Sequence, residues 1–208
     1  MNKILGFLLL GTSATFAASA TPTPTPVPFW KSKSEVYRRM TEERAAIVSA
    51  KTEKIDDQKK LTLVTAGIIH APVKFTHEEI MDFGKYSTFV PYIEESSFDK
   101  TTQNVFVHGA VLGYHVRMTI HVKTHETKLG YQIDWESVSG GFVGMTGTIE
   151  ENRTDSEHAE VSMNANYLGK TIGIPDFLLN WGLEMTAHKA INRMRTHIEE
   201  EWEKSKKH

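Results

Sequence analysis

The chain of 208 residues contains ten histidines and no cysteine, so any metal or proton-transfer chemistry must be built from imidazole, carboxylate and hydroxyl groups. His115, Arg117 and His121 share one face of an alternating segment, and His121 and His125 stand four apart. A spacing of four aligns two ligands on a helix, whereas this segment reads as a strand. With no carboxylate or cysteine at a convincing third position, no metal is expected, and these histidines read as exposed strand residues. Asp134 and Glu136 flank Trp135 and share a face. Turned inward they would make an acid and a base; with the tryptophan inward they are solvated, which is the expected arrangement. His188 falls beside an apolar stripe, one helical step past Trp181 and Met185. It could offer a hydrogen bond to a polar head group or act as a base, and the plainer reading is a satisfied histidine at the edge of a core. No Ser-His-Asp order and no nucleophile elbow appear, so no catalytic residue and no cofactor are expected. Asn152-Arg153-Thr154 forms a glycosylation sequon in a polar turn.

The remaining residues that could do chemistry are apolar, and their chemistry is ligand binding. Tyr114, Val116, Met118 and Ile120 alternate with His115, Arg117, Thr119 and His121, the clearest period-two segment in the chain. Tyr131, Ile133 and Trp135 alternate likewise, and Met145 and Met163 belong to later strands. Phe177, Trp181 and Met185, then Ile191, Met194, Ile198 and Trp202, are read as one stripe of a helix of roughly 28 residues from Pro175 to about Lys204. Methionines and aromatics line adaptable apolar pockets. The expected lining of a cavity is therefore Phe89, Tyr114, Val116, Met118, Ile120, Tyr131, Ile133, Trp135, Met145, Met163, Phe177, Trp181, Met185 and His188.

These side chains need a sheet and a long helix to hold them. Leu61 to Ala71 reads as the first strand of a domain and ends at Pro72. A short helix capped by Thr76 follows, then a second short element through Tyr86 and Phe89 to Pro91. Strands continue from Ile93 to Ala165, broken by Gly140-Gly141 and by the polar turn 152–157, and imply an antiparallel meander. Gly169 to Gly173 is the hinge into the helix. Ahead of this domain (61–204), residues 29–60 are charged and helix-prone and read as a helical segment packed on the outside of the domain. The alternative for 29–57 is contact with a membrane surface or a protein partner, since Phe29 and Trp30 lie close to Lys31, Lys33, Arg38 and Arg39.

A net charge of −2 and a pI near 6.6 argue against nucleic-acid binding, which usually shows a basic excess. Met1-Asn2-Lys3, the apolar run Ile4–Phe16 and Ala18-Ser19-Ala20 have the three-part form of a secretory signal peptide, cleaved after Ala17 or Ala20. The alternating Thr/Pro tract 21–28 reads as an extended spacer. An exported protein without disulfides must be held by its core alone. The expected location is periplasmic or secreted.

The element order is strand, two short helices, antiparallel strands and a long C-terminal helix. The local sequence adds Ala71-Pro72 and the run Asp82-Phe83-Gly84-Lys85-Tyr86-Ser87-Thr88-Phe89-Val90-Pro91. Together, over roughly residues 61–203, these resemble the START-like (SRPBCC) superfamily, and most closely its polyketide cyclase and coenzyme Q-binding branch. The resemblance implies an α+β helix-grip fold with a hydrophobic tunnel between sheet and helix. It also implies an apolar ligand such as a lipid, quinone or polyketide, carried without catalysis. A cyclase- or hydrolase-type enzyme and an envelope interaction scaffold are the alternatives, because this fold hosts several activities.

Overall fold

The computed structural model describes residues 28–111, 113–170 and 176–207. The expected export signal, nearly all of the Thr/Pro tract, most of the glycine hinge and Pro175 lie outside the described residues.

Two short helices, α1 (Phe29–Ser32) and α2 (Ser34–Thr41), open the described chain. Eight strands follow: β1 (Ile47–Ile55), β2 (Gln58–Ile69), β3 (Ile93–Asp99), β4 (Asn104–Val111), β5 (Tyr114–Glu126), β6 (Gly130–Gly140), β7 (Thr146–Arg153) and β8 (Ala159–Lys170). All pair antiparallel in a single sheet of order β1-β2-β8-β7-β6-β5-β4-β3. Between β2 and β3 lie α3 (Val73–Met81), a 3-10 turn at Phe83–Lys85 and α4 (Tyr86–Phe89). The chain ends in α5 (Asp176–Ser205), 30 residues and therefore about 45 Å long. This is the expected α+β helix-grip architecture: a curved antiparallel sheet holding a long C-terminal helix.

One face of the sheet meets α5 and α3. Ile69, Val105, Val122 and Ile133 are buried there with Ile80, Phe83 and Ile198. The other face is covered at β2 by α1 and α2, where Trp30 and Met40 are buried against Ala66 and Ile68. Lys31 of α1 reaches across that layer to the buried Glu160 of β8 at 2.8 Å. The segment thus turns Trp30 and Met40 onto its own domain, while Tyr37 stays exposed.

Three local expectations are corrected. The helical reading of 29–60 holds only to Thr41, because Ile47–Ile55 is a strand. Its signal was present in the β-branched Ile47, Val48, Thr52 and Ile55 and in the two-residue Asp56-Asp57 connection, with Asp56 at φ 52°. The strand taken as first is accordingly the second. The helix expected to be capped by Thr76 begins at Val73, directly after Pro72, and the Thr76 amide already bonds the Pro72 carbonyl.

β1 is an edge strand, and α5 lies along it. The Ala50 amide donates to Glu184 Oε1 at 3.0 Å and Thr52 donates to Asn180 Oδ1 at 2.5 Å. Such contacts blunt an edge that would otherwise offer unpaired amides. At the other end of the helix Glu199 accepts from the Arg44 guanidinium at 2.5 and 2.6 Å and from the His70 amide at 2.8 Å. Arg195 Nη1 donates to the Arg44 carbonyl at 2.5 Å. One carboxylate therefore ties the start of the domain, the end of β2 and α5 together. Glu199→Ala should lower stability by about 2–3 kcal/mol, since it orphans an amide and leaves two arginines facing each other. Chemical denaturation of the variant checks this.

Candidate functional site

A cavity of about 260 Å³ lies between the sheet and α5. Its sheet wall is Thr65, Gly67 and Ile69 of β2, Ile149 of β7, and Val161 and Met163 of β8. Its helix wall is Ala187, Ala190, Ile191, Met194 and Arg195. Ile80, Tyr86, Val90 and Ile93 close the remaining side. The void exists because small residues face each other: a Cβ at Gly67 would first meet Ile191 at 3.9 Å, and the helix wall carries Ala187 and Ala190. Thr65, Tyr86 and Arg195 are the polar residues of an otherwise apolar lining. The Tyr86 hydroxyl donates to the Ile80 carbonyl at 2.5 Å, and burial pushes its pKa up, so it stays protonated. Arg195 is partly buried; desolvation first, and the neighbouring Arg44 second, push its pKa down. Glu199 offsets part of this, and the guanidinium donates to the Arg44 carbonyl and to Asn192 Oδ1.

Of the fourteen residues expected to line the cavity, Met163 does so. Ile120, Ile133 and Trp135 point into the same layer but belong to the solid core, Ile133 completely buried. Met145 is buried in a second cluster with Leu61, Leu63 and Ala165. Tyr131 lies under α3, stacked on His77, and Phe89 stacks on His197 with ring centroids 3.9 Å apart. Val116, Met118 and Met185 are half-buried and outside the lining. Tyr114, Phe177 and Trp181 are 50%, 71% and 52% exposed and are not among the residues lining the cavity; Tyr114 shares the face of Ile120 but lies beyond the core. His188 is exposed, and its Nδ1 accepts from Asn192 Nδ2 at 2.9 Å. Among the described residues no carboxylate contacts it.

The helix error has a geometric cause. Steps of four from Phe177 to Trp181 to Met185 drift slowly around the axis, but the step of six to Ile191 turns about 600°, some 120° short of two full turns. The expected stripe joined two different faces. The buried face continues backward from Ile191 through Ala187 and Leu183 to Leu179. The missed lining was legible in principle as small residues, Ala187 and Ala190, on the helix face that carries Ile191 and Met194. A search for large apolar side chains finds cores and passes over voids.

The tryptophan expectation holds: Trp135 points inward across Gly147, while Asp134 on the opposite face accepts from Gln132 and Thr148 at 2.9 and 3.2 Å. A Cβ at Gly147 would stand 2.4 Å from the indole and 2.3 Å from the Asn164 carbonyl. Gly147→Ala should therefore cost about 2–3 kcal/mol through overpacking, read as a lowered denaturation midpoint.

A second polar feature lies deeper in the same layer, under α3. Glu151 of β7 is 0% exposed; its Oε2 accepts from His77 Nδ1 at 2.9 Å, and its Oε1 has no partner among the described residues. Burial pushes the Glu151 pKa up, and the His77 contact offsets only part of that. His77 stacks on Tyr131 at 3.9 Å with the rings nearly parallel at 5°. Sequence reasoning singled out neither residue, because their meeting depends on α3 crossing β6 and β7.

Comparison with solved structures agrees on the fold. The chain is similar to the Zhui aromatase/cyclase of Streptomyces sp. R1128, at a TM-score of 0.56 and 16% identity over 67% of this chain and 94% of that one. It is equally similar to a STAR-related lipid transfer protein of Xanthomonas axonopodis, at 0.56 and 13% identity over 72% and 98%. A START superfamily protein of Mycobacterium smegmatis matches at 0.52 and 11% identity over 69% and 97%. No family model matches the chain, and no curated protein matches it in sequence. The architecture is START-like.

Proposed function

We propose that this protein binds an apolar small molecule, of the size of a bicyclic or short-chain acid, between its sheet and α5. The observation that carries the reading is the 260 Å³ cavity, walled mainly by aliphatic side chains with Arg195 among its lining residues. Apolar voids well below that volume hold benzene-sized guests, and each Å² of apolar ligand surface removed from water contributes about 25 cal/mol. Arg195, which donates to the Arg44 carbonyl and Asn192 Oδ1, would give up one of these neutral acceptors to orient a carboxylate or other anionic head. The lipid transfer and cyclase names among the structural neighbours are in keeping with a hydrophobic ligand. Ligand enters by displacement of the α3–α4 segment, which supplies Ile80, Tyr86 and Val90 to the wall. Its latches to α5 are the Phe89–His197 stack, the 3.4 Å Glu79–His197 contact and the 2.8 Å hydrogen bond from Lys189 to Tyr92. The protein works after export, in the periplasm or outside the cell, and as a carrier rather than a catalyst.

Native mass spectrometry of protein purified from its own host, followed by solvent extraction, tests this. One bound apolar acid per chain, lost in Arg195→Ala together with tight binding, supports the reading. A ligand-free mass with no uptake of a fluorescent naphthoate overturns it.

A further inference from the structure

Outside the cavity, on the sheet face turned away from α5, three strands bring Glu94, His108 and His115 together. Val105 and Val107 of β4 point into the core, so His108 projects from the opposite face. In the β4–β5 register Ala110 pairs with His115 and His108 with Arg117, which places His115 diagonally beside His108 on that face. The carboxylate comes from an irregularity in the edge strand. Ile93 pairs with Gly109 and Glu95 with His108, leaving Glu94 as an extra residue in β3. Bulges of this kind re-aim side chains, and here the bulge delivers Glu94 to the two imidazoles.

The distances identify what the group suits. His108 Nε2 and His115 Nδ1 are 3.3 Å apart, and Glu94 Oε2 is 3.4 Å from the first and 3.6 Å from the second. As hydrogen bonds these contacts are long, and the two ring nitrogens compete for one acceptor. As one face of a tetrahedron they fit: a Zn²⁺ ion with bonds of 2.0–2.1 Å needs donor separations of about 3.3 Å. All three atoms lie within 4.8 Å of one another. His108 is nearly buried at 12% side-chain exposure and fixes the base of the site, while His115 and Glu94, at 60% and 48%, leave its outer side open.

We infer that Glu94, His108 and His115 form a mononuclear Zn²⁺ site with a fourth position open to water. Two imidazoles and one carboxylate suit Zn²⁺ over the hard cations Mg²⁺ and Ca²⁺, which prefer all-oxygen sets. The ion would also staple edge strand β3 to β4 and β5, so binding raises stability as well as occupying the site. Arg117, across from His108 in the register, is the nearby positive group that would oppose it. The inference is independent of the cavity.

The test uses the untagged full chain, metal-stripped, titrated with ZnCl₂ by calorimetry and by thermal denaturation. One equivalent should bind and raise the Tm. Glu94→Ala, His108→Ala and His115→Ala should each weaken binding at least about tenfold and abolish the Tm shift. Replacing the exposed pair His121 and His125 by alanine should change neither. Co²⁺ should give the visible absorption of a tetrahedral site in the parent and not in His108→Ala. Absence of a one-to-one complex, or equal losses from the His121/His125 variant, overturns the assignment. A variant that binds weakly because it is misfolded is recognised by its circular dichroism; in that case Glu94→Gln, which keeps the shape and removes the charge, carries the same tenfold expectation.

Discussion

Ala190→Trp should lower the affinity for a fluorescent naphthoate at least tenfold while leaving the protein as stable as its parent or more so. The indole would occupy the void that the ligand needs, since Ala190 faces the sheet across the cavity. Burying it there contributes favourable transfer energy where most core enlargements meet packed atoms and cost about 1–3 kcal/mol. Gly67→Leu tests the opposite wall, because a Cβ there already touches Ile191 at 3.9 Å and the rest of the side chain must extend into the cavity. Trp181→Asp is the contrasting control: its side chain is 52% exposed, and ligand uptake should be unchanged. Fluorescence titration and thermal melts on the three variants decide the matter. Undiminished uptake in both filled variants would show that the cavity is not the binding site.

The second large effect is expected at the buried pair beneath α3. His77→Ala should lower stability at pH 7 by about 3 kcal/mol, because it leaves the Glu151 carboxylate buried without its one hydrogen bond. Loss of the stack on Tyr131 adds to this. Glu151→Gln should instead match or exceed the parent at pH 7, since it removes the buried charge and keeps an acceptor for His77. The pH dependence follows from the raised pKa of Glu151. The folded state holds this proton more tightly than the unfolded chain, so the carboxyl costs stability above its folded pKa. That cost fades as pH falls toward the ordinary value of 4.5 and is absent below it. The advantage of Glu151→Gln should therefore vanish near pH 4, and the penalty of His77→Ala should shrink there too. Urea denaturation at pH 7 and pH 4 measures both, and a His77→Ala penalty that does not depend on pH would remove the charge from the explanation.

Local pattern was enough for most of the architecture. Alternation marked Tyr114–Lys123 and Tyr131–Glu136 as strands, Pro72 and Pro91 punctuated the short helices, and the late apolar period announced α5. These signals are local because a strand's two faces and a helix's stripe are properties of neighbouring residues. Trp135 could be turned inward on the same grounds, and its acidic neighbours outward. Strand β1 was legible too, but its many charges concealed a β-branched run beside an Asp-Asp turn.

What the sequence by itself determined was thus the fold class, the inward side of most strands and the helical period. Tertiary structure alone decided where space remains and which polar groups meet. The cavity is a property of facing residues from β2 and α5, some 120 positions apart, whose smallness has no local signature. Glu151 meets His77 because α3 crosses the sheet. Glu94 reaches His108 and His115 because one extra residue in an edge strand rotates its side chain toward them. Sequence spacing offered no carboxylate beside these histidines, and a β-bulge brings Glu94 to them, since register between strands is fixed by pairing and not by distance along the chain.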